Sequence, residues 1–253
     1  MRSTMRLVGV SKRTVTRTMI WAGEACQKKH DEMVKSLTCN KIQADEIWCF
    51  VGCREDRIPK EERGNGERGD TWLWTAMDSD TKLMISYHVG LRDYSACDVF
   101  LDDLRSRVVN RPQVTTDGHG PYYEGVRKAF QGDVDFAMCS KTYGRDASHE
   151  ARYRPPRCTG VKKRVICGSP DYTTASTSHV ERSNLSIRMG CRRYTRLTNA
   201  FSKKMENHEH AVALQMFWYN FGRIHQTLRV TPAMEAKLTD HVWSLEDMAS
   251  LFS

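Results

Sequence analysis

Three segments in close succession, IQADEIWCFV (residues 42–51), TWLWTAMD (71–78) and KLMISYHV (82–89), are rich in β-branched and aromatic residues and bounded by turn-formers. This pattern predicts an antiparallel meander of three strands. The connection REDRIPKEERGNGERGD (54–70) is too polar and glycine-rich to pack, so it reads as an exposed loop. Next, YSACDVFLDDLRSRVV (94–109) places Cys97, Phe100, Leu101, Leu104 and Val108 at helical spacing. A short strand QVTTD (113–117), a helix near 121–130 and a strand VDFAMC (134–139) follow. The order β-β-β-α-β-α-β predicts an α/β protein with a mixed sheet flanked by helices.

The flanking segments differ in texture. MRLVGVSKRTVTRTMI (5–20) reads as a short helix, a turn at Gly9–Ser11 and a second helix capped by Ser11. That is the pattern of the second half of a helix-turn-helix, whose second helix would present Lys12, Arg13, Thr14 and Arg17 to a DNA groove. The chain begins where the first helix of that motif should already be under way, so residues 1–40 are expected to hold a partial DNA-binding segment and linker. Residues 140–175 have little periodicity and much Arg, Lys, Pro and Gly, and read as a long basic loop. Helical patterns resume after Thr177 and continue to the end of the chain through NAFSKKMENHEHAVALQMFWYNF, PAMEAKL and SLEDMASLF. No run of 18 apolar residues occurs, and the first residues lack the apolar centre of a signal peptide, so a soluble, cytoplasmic protein is expected. Nine scattered cysteines without a CxxC pair argue against a disulfide framework or structural zinc.

The net charge of +8 is unevenly spread. Residues 1–40 carry 8 basic and 3 acidic residues, and 141–204 carry 15 and 4, whereas 41–140 carry 13 and 18. A solvated basic face usually intersperses acids. The second block has few, which favours a polyanion partner held through phosphate contacts.

Most carboxylates need only solvent, but three call for another explanation. Asp45 interrupts the first apolar strand, where an unpartnered charge costs several kcal/mol. Asp117 ends a strand before the flexible turn GHG. Glu181 is the lone acid of STSHVERSNLSIRMGCRRYTR (176–196), which holds five arginines. The middle of a first strand and the end of a fourth become neighbours if those strands pair centrally, and a returning helix could add a third acid. Converging carboxylates repel unless divalent cations sit between them, and such ions activate water or a hydroxyl at a phosphodiester. Asp45 as a satisfied core acid, Asp117 as a turn residue and Glu181 as a helix-terminal acid are the plainer alternatives, and Glu46, Asp78 and Asp80 are rival carboxylates.

The segments QADEIWCFV, TTDGHGPYYEGV, TSHVERSNLSIRMGCRRYTRLTNAFSKK and YNFGRIHQTLRVTPAM together resemble bacterial insertion-sequence transposases of the DDE type, closest to the insertion sequence one family. The resemblance implies an RNase H-like catalytic domain over residues 41–197, followed by a helical C-terminal region over 198–253. It implies Asp45, Asp117 and Glu181 as acids that bind Mg²⁺, with Mn²⁺ as a substitute, and a homo-oligomer acting on double-stranded DNA at the bacterial nucleoid. Arg188, seven residues after Glu181 and on the same helical face, matches the basic residue such enzymes use beside their DNA end. Arg192, Arg193, Lys162, Lys163 and Arg164 are further candidate DNA contacts. Ser183 departs from the family pattern, which has glutamine there. Another RNase H-like nuclease of resolvase type, or a DNA-binding regulator with a disabled nuclease fold, are the rival functions. His119 is weighed between proton movement and a turn, His225 between a helix junction and DNA contact, and the Trp72/Trp74 pair as strand packing.

Overall fold

The computed structural model describes residues 1–63, 66–144, 158–195 and 198–252. Six strands form one sheet: β1 (Lys41–Val51), β2 (Gly69–Asp78), β3 (Met84–Gly90), β4 (Gln113–Thr116), β5 (Asp135–Tyr143) and β6 (Cys158–Cys167). Their spatial order is β3-β2-β1-β4-β5-β6. The meander β1-β2-β3 is antiparallel, β4 and β5 run parallel to β1, and β6 returns antiparallel on the outer edge. As a central strand, β1 is covered on both faces, so none of its residues is fully exposed, the polar Gln43, Asp45 and Glu46 included.

Its even positions face helices α3 (Tyr94–Arg107) and α4 (Gly120–Ala129), where Ile42, Ala44 and Trp74 pack with Phe100, Leu104, Tyr122 and Val126. The odd positions face α5 (Ser178–Gly190) and α6 (Met205–Phe217), where Ile47 and Cys49 join Leu73, Ile187, Val212 and Met216. Two short helices, α7 (Pro232–Glu235) and α8 (Leu245–Ser250), finish the chain.

One expectation needs correcting and another extending. The segment 140–175 is not one irregular loop: β5 continues to Tyr143 and pairs with β6, while residues 145–157 lie outside the described residues. The amphipathic pattern near 5–20 belongs to α1 (Arg2–Val8) and to a much longer α2 (Lys12–Met33). Gly9 turns between them at φ 69°, and the Ser11 hydroxyl caps α2 by accepting from Thr14 N at 3.1 Å. The second half of α2 is a packing element, since Ala22, Gly23, Cys26 and His30 are buried.

Helices α2 and α6 approach closely at Gly23, where a Cβ would stand 2.2 Å from the carbonyl oxygen of His210. Gly23→Ala should therefore destabilise by about 1–2 kcal/mol in urea unfolding, because separating the backbones outweighs the ~1 kcal/mol gain in helix propensity. A stabilised variant would show that the helices part at no cost.

The segment YNFGRIHQTLRV has a structural role. After α6 the chain makes a π-helical turn over Trp218–Gly222 that buries Asn220. The Asn220 side chain pairs with the β3 backbone, accepting from Met84 N and donating to Met84 O, each at 2.9 Å. This satisfies an edge strand that would otherwise expose its polar groups. His225 closes the next turn through its backbone, donating to Val230 O and accepting from Arg229 N, both at 2.9 Å.

Candidate active site

The pairing of β1 with β4 ends at Ala44 opposite Thr116, so the next residues, Asp45 and Asp117, lie side by side where the two strands begin to part. Asp117 folds back into the turn it opens and accepts from His119 N at 2.9 Å. Strand alternation sends Glu46 to the opposite face from Asp45, yet Asp45, Glu46 and Asp117 each offer a carboxylate oxygen within 4.8 Å of the others. Burial, with Glu46 and then Asp117 beside it, pushes the Asp45 carboxyl up to about 7. Burial and Asp117 also raise Glu46, and Arg92 opposes them.

Asp45 is fixed by α5. Asn184 donates to Asp45 Oδ2 at 2.8 Å, and Thr75 donates to Asn184 Oδ1 at 3.4 Å. Two residues earlier on the same face of β1, Gln43 Oε1 accepts from His179 N at 2.8 Å and Val180 N at 3.1 Å. Thr177, the residue at the helix start, offers no side-chain cap, so a strand residue caps α5 instead. Gln43 and Asp45 therefore seat the helix that carries Glu181.

Glu181 lies in the first turn of α5, where Thr177 Oγ1 donates to Oε1 at 2.6 Å and the Lys141 ammonium of β5 contacts both carboxylate oxygens. It is absent from the tight cluster of Asp45, Glu46 and Asp117 but lines the same cleft of about 600 Å³, together with Arg92, His119 and Lys141. The rival Asp78 is a turn-former, accepting from Thr81 Oγ1 at 2.6 Å and Thr81 N at 3.2 Å. Asp80 accepts from Asn40 Nδ2 at 3.4 Å.

His119 stands at the start of α4, its ring 5.7 Å from Trp74 and 6.0 Å from Tyr122, with Nε2 buried and lacking a partner among the described residues. Burial, reinforced by Arg92, lowers its pKa, so the ring is neutral near pH 7. Trp74 is fully buried and donates to Leu91 O at 3.1 Å, whereas Trp72 is half-buried beneath Arg92.

The basic residues singled out in the sequence occupy four places. Lys12, Arg13 and Arg17 are exposed at the start of α2, Arg17 lying 4.8 Å from the Trp21 ring centre. On the edge strand β6, Lys162 and Arg164 share an exposed face, while Lys163 turns to the other side and donates to Tyr172 O at 2.7 Å. Beyond α5, Arg192 is exposed, and Arg193 donates to Ser202 Oγ at 2.8 Å. Arg188 is half-buried and donates to Tyr194 O at 2.8 Å and Trp48 O at 3.4 Å, tying α5 to β1.

Glu46 is a rival that spacing alone does not separate from Asp45. Gln43, Asn184, Lys141 and Arg92 escaped sequence reading altogether. A polar residue two positions before Asp45 in a buried strand was the available signal for Gln43. The partners of the others follow only from the tertiary fold.

The carboxylate oxygens of Asp45 and Asp117, meeting in a cleft that Glu181 also lines, suit a hard divalent cation, which takes oxygen ligands and would relieve their mutual repulsion. Among the described residues no helix is long and apolar enough to cross a membrane.

Strand order, strand directions and the helices on both faces define an α/β protein with an RNase H-like sheet, bearing an acidic cleft at the point where its central parallel strands part. No protein-family profile and no curated protein matches the chain. Among solved structures it is similar to a piggyBac transposase, determined as a synaptic complex with hairpin DNA, with a TM-score of 0.37 and 15% identity. The match covers 85% of this chain and 52% of that one, so this chain spans about half of that transposase's length.

Proposed function

We propose that the chain is a DDE-type DNA transposase, cutting transposon ends by hydrolysis and joining the freed 3′-hydroxyl to target DNA. The observation that carries this reading is the meeting of Asp45 and Asp117 in one cleft that Glu181 also lines. These are the three acids that the motif resemblance implies, brought from a central strand, its parallel neighbour and a helix far along the chain.

Asp45, Asp117 and Glu181 would hold Mg²⁺ or Mn²⁺, which supplies an activated water or hydroxyl and stabilises the leaving oxygen at a phosphodiester. The chain's own residues do the rest. Asn184 and Gln43 orient Asp45 and the start of α5. Lys141 and Thr177 hold the Glu181 carboxylate in the cleft. The exposed cations of β6, of the start of α2 and of the segment after α5 would hold the DNA backbone, with several copies of the chain assembling on it.

A supercoiled donor plasmid carrying the parent element, incubated with the protein and Mg²⁺, tests the proposal. Cleaved ends and joined products are expected. Nicking without joining would assign the site to a resolvase-type nuclease, and binding without cleavage to a regulator.

A further inference from the structure

Glu46 is a third acid beside Asp45 and Asp117, and its side chain is only 1% exposed. Both of its oxygens are engaged: Arg92 Nε donates to Oε1 at 2.7 Å, Arg92 Nη2 contacts the same oxygen, and Tyr122 Oη donates to Oε2 at 3.2 Å. Glu46 is therefore placed to hold Arg92.

Arg92 lies between β3 and α3, and its guanidinium also sits 4.7 Å from the centre of the Trp72 ring. A carboxylate thus fixes one edge of the cation and an indole fixes one face. The side chain remains 38% exposed and lines the cleft with Asp45, Asp117 and Glu181. Among the described residues, Nη1 makes no hydrogen bond. Among the described residues, Lys141 is the other lysine or arginine lining the cleft, and its ammonium is on Glu181. A guanidinium held in this way has lost most of its rotamer freedom before any ligand arrives and still offers N–H donors on its open edge. Planar donors of this kind match phosphate oxygens.

We infer that Arg92 is a phosphate-binding residue of the cleft, held ready by Glu46 and Trp72 to take a DNA backbone phosphate beside the acids. The inference rests on the reading that this cleft receives DNA. It also gives the buried Glu46 a purpose, as a positioning residue whose charge is matched by a cation that faces the substrate.

The test measures binding of a random-sequence duplex oligonucleotide by fluorescence anisotropy, between about 50 and 200 mM KCl, for wild type, Arg92→Gln and Arg92→Lys. Loss of one phosphate contact lowers the slope of log affinity against log salt by about 0.9. Across that fourfold range, Arg92→Gln should lose roughly threefold less affinity than wild type. Arg92→Lys, which keeps the cation but not the fork, should retain the wild-type slope. Both variants should melt lower than wild type, because each loses the double contact to Glu46. A wild-type slope in Arg92→Gln overturns the inference, as does an equally reduced slope in both variants, which would mark a folding effect. Salt-independent binding by wild type would instead overturn the reading of the chain as a DNA enzyme.

Discussion

Asp45→Asn should abolish metal-dependent DNA cleavage while leaving the metal-free protein as stable as wild type or more so. The two effects have one cause. Asp45 lies between Glu46 and Asp117 in a poorly solvated position, so its negative charge is unfavourable to the fold. An asparagine keeps the size and the oxygen that accepts from Asn184 but removes the charge. The same charge is what a divalent cation would bind. Losing several kcal/mol of transition-state stabilisation corresponds to about 10³-fold or more in rate. Thermal melting with and without Mn²⁺ gives a readout independent of turnover. Wild type should gain stability from the ion through its preference for the folded state, and the variant should gain less. A variant that cleaves at the wild-type rate would remove Asp45 from the catalytic assignment. Equal Mn²⁺ stabilisation of both proteins would place the ion elsewhere.

Glu181→Gln should also abolish cleavage, but its effect on stability should differ. Glu181 is bound to Lys141 and Thr177 and stands outside the tight cluster, so replacing it strips Lys141 of its partner rather than relieving repulsion. The metal-free variant should therefore melt slightly below wild type. An unchanged cleavage rate in Glu181→Gln would reduce Glu181 to a helix-terminal acid.

The contrast between these two acids shows what a one-dimensional reading can reach. Strand and helix types were legible because periodicity and β-branched content report burial directly, and β1 through β5 and α3 through α5 stand where those patterns predicted them. The neighbouring positions of Asp45 and Asp117 followed from a topological argument about first and fourth strands, and the register of β1 against β4 brings them side by side. Spacing alone does not rank Glu46 against Glu181; the motif resemblance is what names Glu181. Alternation places Glu46 on the opposite face from Asp45, and only where β1 and β4 part can both carboxylates reach the same space. Lys141 was hidden for a different reason. Its segment reads as loop because the end of β5, SKTY, is polar and largely exposed, and the edge strand β6 that pairs with it carries Lys162, Lys163 and Arg164, charge that masks a strand pattern while protecting the edge from mispairing. The length of α2 was missed because Gly23 interrupts an otherwise helical pattern, and its fit against His210 could not be foreseen.

Acidification from pH 7 to pH 4 should destabilise the fold by roughly 3 kcal/mol through His208 alone. His208 is fully buried on α6. Its Nε2 lies 2.9 Å from Tyr194 Oη and 3.4 Å from Cys49 Sγ, and its Nδ1 lies 3.1 Å from Ser202 Oγ. None of these neighbours is an anion: burial pushes the Cys49 thiol up to about 12 and Tyr194 well above its ordinary value. The nearby charge, Arg193, is positive. Burial first, and Arg193 second, therefore lower His208 from 6.5 to about 4. Below pH 6.5 the unfolded chain binds a proton that the folded chain refuses until about pH 4, so stability is fully present above 6.5 and falls across that window. The Cys49–His208 contact resembles a nucleophile and its base, but a neutral ring against a protonated, buried thiol makes it a packing feature. His208→Gln keeps hydrogen-bonding capacity and cannot titrate. The variant should be less stable than wild type at pH 7.5, and urea unfolding should show the gap closing by about 2–3 kcal/mol as the pH falls to 4.5. Carboxylates shared by both proteins cancel in that difference. A gap that stays constant across the window would mean that His208 is protonated in the folded state, and hence that the buried cluster holds an anion or admits water.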